Sequence, residues 1–182
     1  MLEGKRVRLG PIKREYIDSF LKWFNDPEIT QYLAAYLPMT RMAEEAWMEN
    51  LKDRDNTIRF SIVLPQEDGS EKLIGNCGIH NIDWKNRVAE VGIVIGDKEY
   101  QNKGLGTEAM ELLLEYAFNT VNLHRIELFT YEYNIGALKS YNKVGFVEEG
   151  RRRQFMYFKG KYYDAILMGI LAEEWNDKKN KD

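Results

Sequence analysis

Only one cysteine, Cys77, occurs in the chain, so an intramolecular disulfide is excluded. A chain of 182 residues without disulfides suits a reducing compartment, and the expected location is the cytoplasm. Cys77 sits in the apolar run Leu73 to Ile79 and reads as a small buried hydrophobe. Histidine is nearly as scarce. His80 and His124 are the only two, and with a single cysteine they form no metal site by spacing, so no metal is expected. No run approaches the roughly 18 apolar residues of a membrane span. The first residues, Met1 to Arg6, lead into no apolar stretch of the signal-peptide kind. No membrane partner is expected. An excess of positive charge is also missing: 26 Lys and Arg stand against 29 Asp and Glu, for a net charge of −3. That argues against a nucleic-acid partner.

What is present is ample core material, with 44% hydrophobic and 13% aromatic residues. The first half begins with a strand over Val7 to Ile12. A helical period follows over Glu15 to Asn25, with Ile17, Phe20, Leu21 and Phe24 on one face, stopped at Asp26-Pro27. A second helix is expected over Thr40 to Lys52, with Thr40 as N-cap and Ala43, Trp47 and Leu51 as its stripe. The period then falls to two. Ile58–Leu64, Lys72–Ile82 and Val88–Ile95 read as an antiparallel meander. Beyond Gly96 come a glycine loop, an amphipathic helix over Leu105–Asn119, a strand over Arg125–Tyr131, and a short helix over Ile135–Val144. A hairpin of Phe146–Phe158 and Tyr162–Ile170 closes the pattern around Lys159-Gly160. No repeat or linker interrupts the chain. One α/β domain with a mixed sheet over 1–182 is expected, with a frayed tail from about 176 to 182.

The segment Tyr100-Gln101-Asn102-Lys103-Gly104-Leu105-Gly106-Thr107 follows a strand and opens a long helix. Its glycines let backbone approach a ligand closely. The first helical N–H groups lack internal partners and sit at the positive end of the dipole, which makes an anion site. No Gly-Lys-Ser/Thr occurs, so a nucleotide P-loop is excluded, and only two glycines stand where a dinucleotide fingerprint needs three. No Asp/Asn metal motif follows the loop, which disfavours a kinase.

Two motifs in fixed order carry a resemblance. Gln101-x-x-Gly104-x-Gly106 is similar to the pyrophosphate loop of the GNAT superfamily of acetyltransferases. Asn134-x-x-Ala137-x-x-x-Tyr141-x-x-x-Gly145-Phe146 resembles that superfamily's segment after the next strand. The stretches Asn122-Leu-His-Arg-Ile-Glu-Leu and Gly145-Phe-Val-Glu-Glu-Gly150 resemble the branch of ribosomal-protein N-terminal and spermidine acetyltransferases.

The resemblance implies a mostly antiparallel sheet with a splayed central strand pair and acetyl-CoA as co-substrate. The strand before the loop is splayed by a bulge, so the backbone of Ile93, Val94 and Ile95 pairs with the pantetheine arm. The amides of Asn102, Lys103, Gly104, Leu105, Gly106 and Thr107 hold the pyrophosphate, supported by Gln101, while Asn134 bonds the arm beside Ala137. Asn102 stands where relatives carry Gly, and Asn tolerates unusual dihedrals. The turn Ile95 to Tyr100 is longer than in many relatives, which leaves the bulge position open by about one residue.

The implied reaction is direct attack of a primary amine on the thioester. A backbone N–H of Ile93–Ile95 serves as oxyanion donor. Tyr141 is the expected acid for the departing sulfur. Glu90 is the expected base, or a group that binds the amine; alternation puts it on the face of Gly92 and Val94. Glu127 is a weaker alternative, and His80 and His124 weaker still. Arg151-Arg152-Arg153 reads as a solvated edge or a contact for the 3′-phosphate. Asp26, Glu28, Tyr32, Tyr36, Glu44, Glu45, Trp47 and Tyr157 are expected around the acceptor, a polyamine-like small molecule or a peptide N-terminus. A catalytically silent CoA-binding module is the alternative reading. A homodimer through the final hairpin is compatible with the pattern.

Overall fold

The structure, a computed structural model, describes residues 1–34, 37–50 and 56–180. Tyr36, Leu51 and Lys52 lie outside the described residues. In chain order the elements are β1 (Leu2–Glu3), β2 (Arg8–Gly10), α1 (Ile17–Phe24), α2 (Pro27–Thr30), α3 (Arg41–Glu49), β3 (Ile58–Pro65), β4 (Glu71–Asp83) and β5 (Val88–Ile95). Then come α4 (Leu105–Asn119), β6 (Arg125–Tyr131), α5 (Ile135–Val144), β7 (Val147–Phe158), β8 (Lys161–Leu171) and α6 (Ala172–Lys179). The strands form one sheet in the order β1-β2-β3-β4-β5-β6-β8-β7. Every pairing is antiparallel except that of β5 with β6.

That parallel pair is where the sheet opens. It has three rungs, Val88 with Arg125, Ala89 with Ile126 and Glu90 with Glu127. Both strands continue beyond it, to Ile95 and Tyr131, without pairing with each other. The splayed pair is thus present, but its origin differs from expectation. From Glu90 to Ile95, β5 keeps an unbroken register with β4. The irregularity lies on β4 between His80 and Asp83, where Asn81 has φ 52°. An extra residue there bends β4 and increases the local twist beside the rungs that β5 shares with β6.

Helix α4 packs one sheet face with Ala109, Met110, Leu113, Leu114 and Ala117, all at 0% exposure, against Ile74, Ile79 and Ile126. At roughly 1.5–3 kcal/mol for each large side chain so buried, this layer anchors the fold. The other face is covered by α1, whose Phe20 and Trp23 close on Tyr16 and Val63. Here Pro27 starts α2 rather than only ending α1, with Asp26 as N-cap to the Glu28 N–H (2.9 Å). Thr40 caps α3 through the Ala43 N–H (3.2 Å). The stripe expected on α3 is not the buried one: Ala43 is exposed, and Glu44 is the residue turned inward.

The tail read as frayed continues through Lys179 as α6. The Leu171 N–H donates to Glu174 Oε2 (2.8 Å) at its start. Trp175, 1% exposed, lies against Phe118 and donates to Glu115 Oε2 (3.3 Å). One buried indole among charged residues gives no helical period, so the element is invisible to pattern reading.

The N-terminal strands are tied to α4 by Glu108. Its carboxylate accepts from the Arg6 N–H (2.6 Å), the Val7 N–H (3.2 Å) and Arg6 Nε (2.9 Å). Arg6 Nη1 also donates to Lys103 O (3.0 Å), so the same cluster props the glycine loop. Burial pushes the Glu108 carboxyl up, but the donors from Arg6 and Val7 outweigh it and hold it below its usual range. A depressed folded pKa contributes stability that is present above the unfolded value near ~4.3 and is lost as pH falls through the folded value. Glu108→Gln is therefore expected to cost about 1–2 kcal/mol at pH 7. The gap to the parent should narrow as the pH drops below about 4, read from urea unfolding at both pH values.

Candidate active site

A cleft of about 800 Å³ opens where β5 and β6 separate and runs to the start of α4. Its anion end is the glycine loop. Gly104 takes φ 77° as the N-cap of α4 and offers no side-chain cap. The N–H groups of Leu105, Gly106 and Thr107 are thus left for a ligand at the positive pole of a 15-residue helix. Asn102 holds φ 58°, the left-handed conformation that Asn accepts. Gln101 supports the loop from below, its Nε2 donating to Ile95 O (2.8 Å). Asn102, Gly104, Gly106 and Thr107 line the cleft. Lys103 stands apart, its ammonium over the Tyr100 ring at 5.5 Å, and the Leu105 side chain is in the core.

The split strand supplies the second wall. The Gly96 N–H donates to Ile74 O (2.9 Å), which sets the parity of the β4–β5 ladder. By that parity the backbone groups of Ile93 and Ile95 turn toward the gap, and those of Val94 bond β4. Ile93, Val94 and Ile95 all line the cleft, and Ile95 O is already taken by Gln101.

Glu90 is the last rung before the split, so its carboxylate stands at the fork. Asn81 Nδ2 donates to its Oε1 (3.1 Å). His80, read as a poor candidate from its place in a strand, is directly opposite Glu90 on β4 and lines the cleft. Parity with Glu90 was the signal that could have found it. Asn76, opposite Val94, also lines the cleft, and its Oδ1 is buried without a hydrogen-bond partner among the described residues. A buried orphan acceptor costs about 1–3 kcal/mol until a donor arrives.

The third wall is α5. Asn134 is its N-cap, with Oδ1 accepting from the Ala137 N–H (3.3 Å), which leaves Nδ2 for a ligand. Thr107 and Ser140 share a hydroxyl hydrogen bond (2.8 Å) that joins α4 to α5. Gly136, Lys139, Ser140 and Lys143 recur at helical spacing on the cleft side, a stripe the sequence reading passed over. Tyr141 lines the same cleft, 9% exposed, its ring edge-on to Phe146 at 5.8 Å. Burial pushes its phenol up to about 12, so it stays a proton donor at neutral pH.

Several expected residues lie elsewhere. Glu127 is held by Arg125 (3.2 Å) and does not line the cleft, nor does the exposed His124. Arg151 pairs with Glu148 (2.8 Å) and Arg152 lies over Phe155, whereas Lys139 and Lys143 line the cleft. Of the acidic and aromatic acceptor set, Tyr32 alone among the described residues lines the cleft. Asp26 and Glu28 are bridged by Lys98 (2.7 and 2.6 Å), Glu45 faces Arg41 (3.9 Å), and Glu44 is 2% exposed, its carboxyl pushed up by burial. Trp47 is covered by Arg59, and Tyr157 sits against Tyr162 on the exposed hairpin.

Comparison with known proteins places this geometry in context. The family model described as the acetyltransferase (GNAT) domain matches residues 6–147. The N-acetyltransferase p20 of Bacillus licheniformis, itself uncharacterized, is 30% identical over 96% of this chain and 97% of that one. The provisionally assigned ribosomal N-acetyltransferase YdaF of Bacillus subtilis is 36% identical over 62% of this chain and 60% of that one. A crystal structure of spermidine N-acetyltransferase from Vibrio cholerae, in complex with CoA and spermine, superposes with a TM-score of 0.86 at 27% identity. It covers 95% of this chain and 99% of that chain.

Proposed function

The chain belongs to the GNAT family of acetyltransferases, so its reaction is acetyl transfer from acetyl-CoA to an amine, and we propose that Glu90 and Tyr141 carry the proton transfers of that reaction. The observation that supports this is the fork itself. Glu90 stands where β5 and β6 part, and the cleft opening from it is lined by both Tyr141 and the uncapped N-terminus of α4.

The residues present fit the co-substrate. The free amides of Leu105 to Thr107, with Lys139 and Lys143 nearby, suit its phosphates. The gap-facing backbone of Ile93, Asn134 Nδ2 and the orphan Asn76 Oδ1 suit the amides of its arm. Acetyl-CoA supplies an activated acetyl group on a thioester whose sulfur departs.

Glu90 takes a proton from the acceptor, since an alkylammonium near pKa ~10 is not a nucleophile at neutral pH. The freed amine then forms its C–N bond as the C–S bond breaks, and Tyr141 protonates the departing sulfur. The ammonium sheds two protons in all. One leaves through Glu90 to solvent, and the other replaces the proton that Tyr141 gave. The gap-facing N–H groups of β5 are placed to donate to the carbonyl oxygen. The acceptor is a primary amine on a small molecule or at a peptide N-terminus.

Gly106→Val tests the anion end. A Cβ on Gly106 meets the Ile95 side chain, Cγ1 at 3.5 Å and Cδ1 at 4.0 Å, both ordinary contacts, so the fold is expected to persist. The added methyls crowd the loop, and the Kd for acetyl-CoA is expected to rise at least tenfold, about 1.4 kcal/mol, in a calorimetric titration. An unchanged Kd would place the phosphates elsewhere.

A further inference from the structure

The charges and rings around the fork bear on which amine enters. We propose that the acceptor is a single primary amine carried by an aromatic or bulky apolar group, and that Phe129 flanks that group. The inference rests on acetyl transfer to an amine in this cleft. Beyond the Glu90–Glu127 rung, the next β6 residue on the same face is Phe129. It looks across the widening gap at Gly92, which has no side chain to fill the space; a Cβ there would first meet His80 Nε2, at 3.6 Å. Glu90, Gly92, His80 and Phe129 thus bound a slot with one carboxylate at its end.

The wall beyond Phe129 is a run of rings. Phe129 touches Tyr131 (6.1 Å), Tyr131 stacks on Tyr133 (5.5 Å), and Tyr133 meets Tyr32 (6.0 Å). Phe129 and Tyr32 are 37% and 42% exposed, which leaves ring surface for a ligand. Among the described residues Glu90 is the only carboxylate that lines the cleft, while Arg59 lines it as well. The acidic residues of α2 are already matched by Lys98. Among the described residues a second ammonium on the acceptor finds no further carboxylate in the cleft lining, whereas an apolar body beside a single ammonium is matched on both counts.

The test is steady-state thiol release from acetyl-CoA with 2-phenylethylamine, propylamine and spermidine, using the parent chain, Phe129→Ala and Phe129→Glu. The expected kcat/KM order puts 2-phenylethylamine about tenfold or more above both others. Phe129→Ala is expected to lower its value about tenfold through KM and to leave spermidine unchanged. Phe129→Glu is expected to raise spermidine relative to 2-phenylethylamine. Spermidine equal to or better than 2-phenylethylamine in the parent overturns the proposal, as does an equal effect of Phe129→Ala on all three amines. Release with none of them, nor with a peptide N-terminus, overturns the acetyl-transfer reading beneath it.

Discussion

Tyr141→Phe is expected to lower kcat for acetyl transfer by about a hundredfold, with the KM for acetyl-CoA nearly unchanged. The substitution removes one oxygen from a ring that is 9% exposed and packed on Phe146, so neither the core nor the cleft changes shape. What is lost is the donor to the departing sulfur, and general acid catalysis contributes about 10²–10⁴-fold. Burial raises the phenol to about 12, so it remains protonated through neutral and mildly alkaline pH. The parent should therefore show no alkaline loss of kcat from this group up to about pH 10, which a pH–rate profile of the two proteins checks. A variant that keeps full kcat would remove Tyr141 from the chemistry.

Glu90→Gln is expected to lower kcat/KM about 10- to 100-fold at pH 7. Glutamine preserves the size and can still accept from Asn81 Nδ2, so the fork keeps its geometry. If Glu90 removes the amine proton, the deficit should shrink as pH rises toward the amine's own pKa near ~10, where free amine becomes plentiful. If Glu90 only binds the ammonium, the deficit persists as a raised KM at every pH below that value. The pH dependence of the ratio of parent to variant separates the two roles.

The second half of the chain was more legible than the first. From Val88 to Val144 the element bounds follow from period and glycine placement alone, because α4 and its neighbouring strands are strongly patterned and buried. The glycine loop and Tyr141 were singled out instead by two motifs that resemble the family's, and both line the cleft. The inward turn of Glu44 and the helix around Trp175 were not, since each depends on a packing partner distant in sequence. The splay was anticipated, but the irregularity beside it is on β4 at Asn81, and only the pairing register reveals that. The same register sets Val94 opposite Asn76 and His80 opposite Glu90. Composition does not show that Lys98 already holds Asp26 and Glu28, two members of the acidic acceptor set.

The most direct test is to incubate the protein with isotopically labelled acetyl-CoA and an amine panel of arylalkylamine, alkylamine, polyamine and peptide N-terminus, then to identify products by mass spectrometry. One labelled acetyl on a primary amine for each CoA thiol released, abolished or sharply reduced in Glu90→Gln and Tyr141→Phe, is the expected result. Intact acetyl-CoA with every amine, or acetyl-CoA hydrolysed without any acetylated amine, would contradict amine acetylation at the fork of β5 and β6.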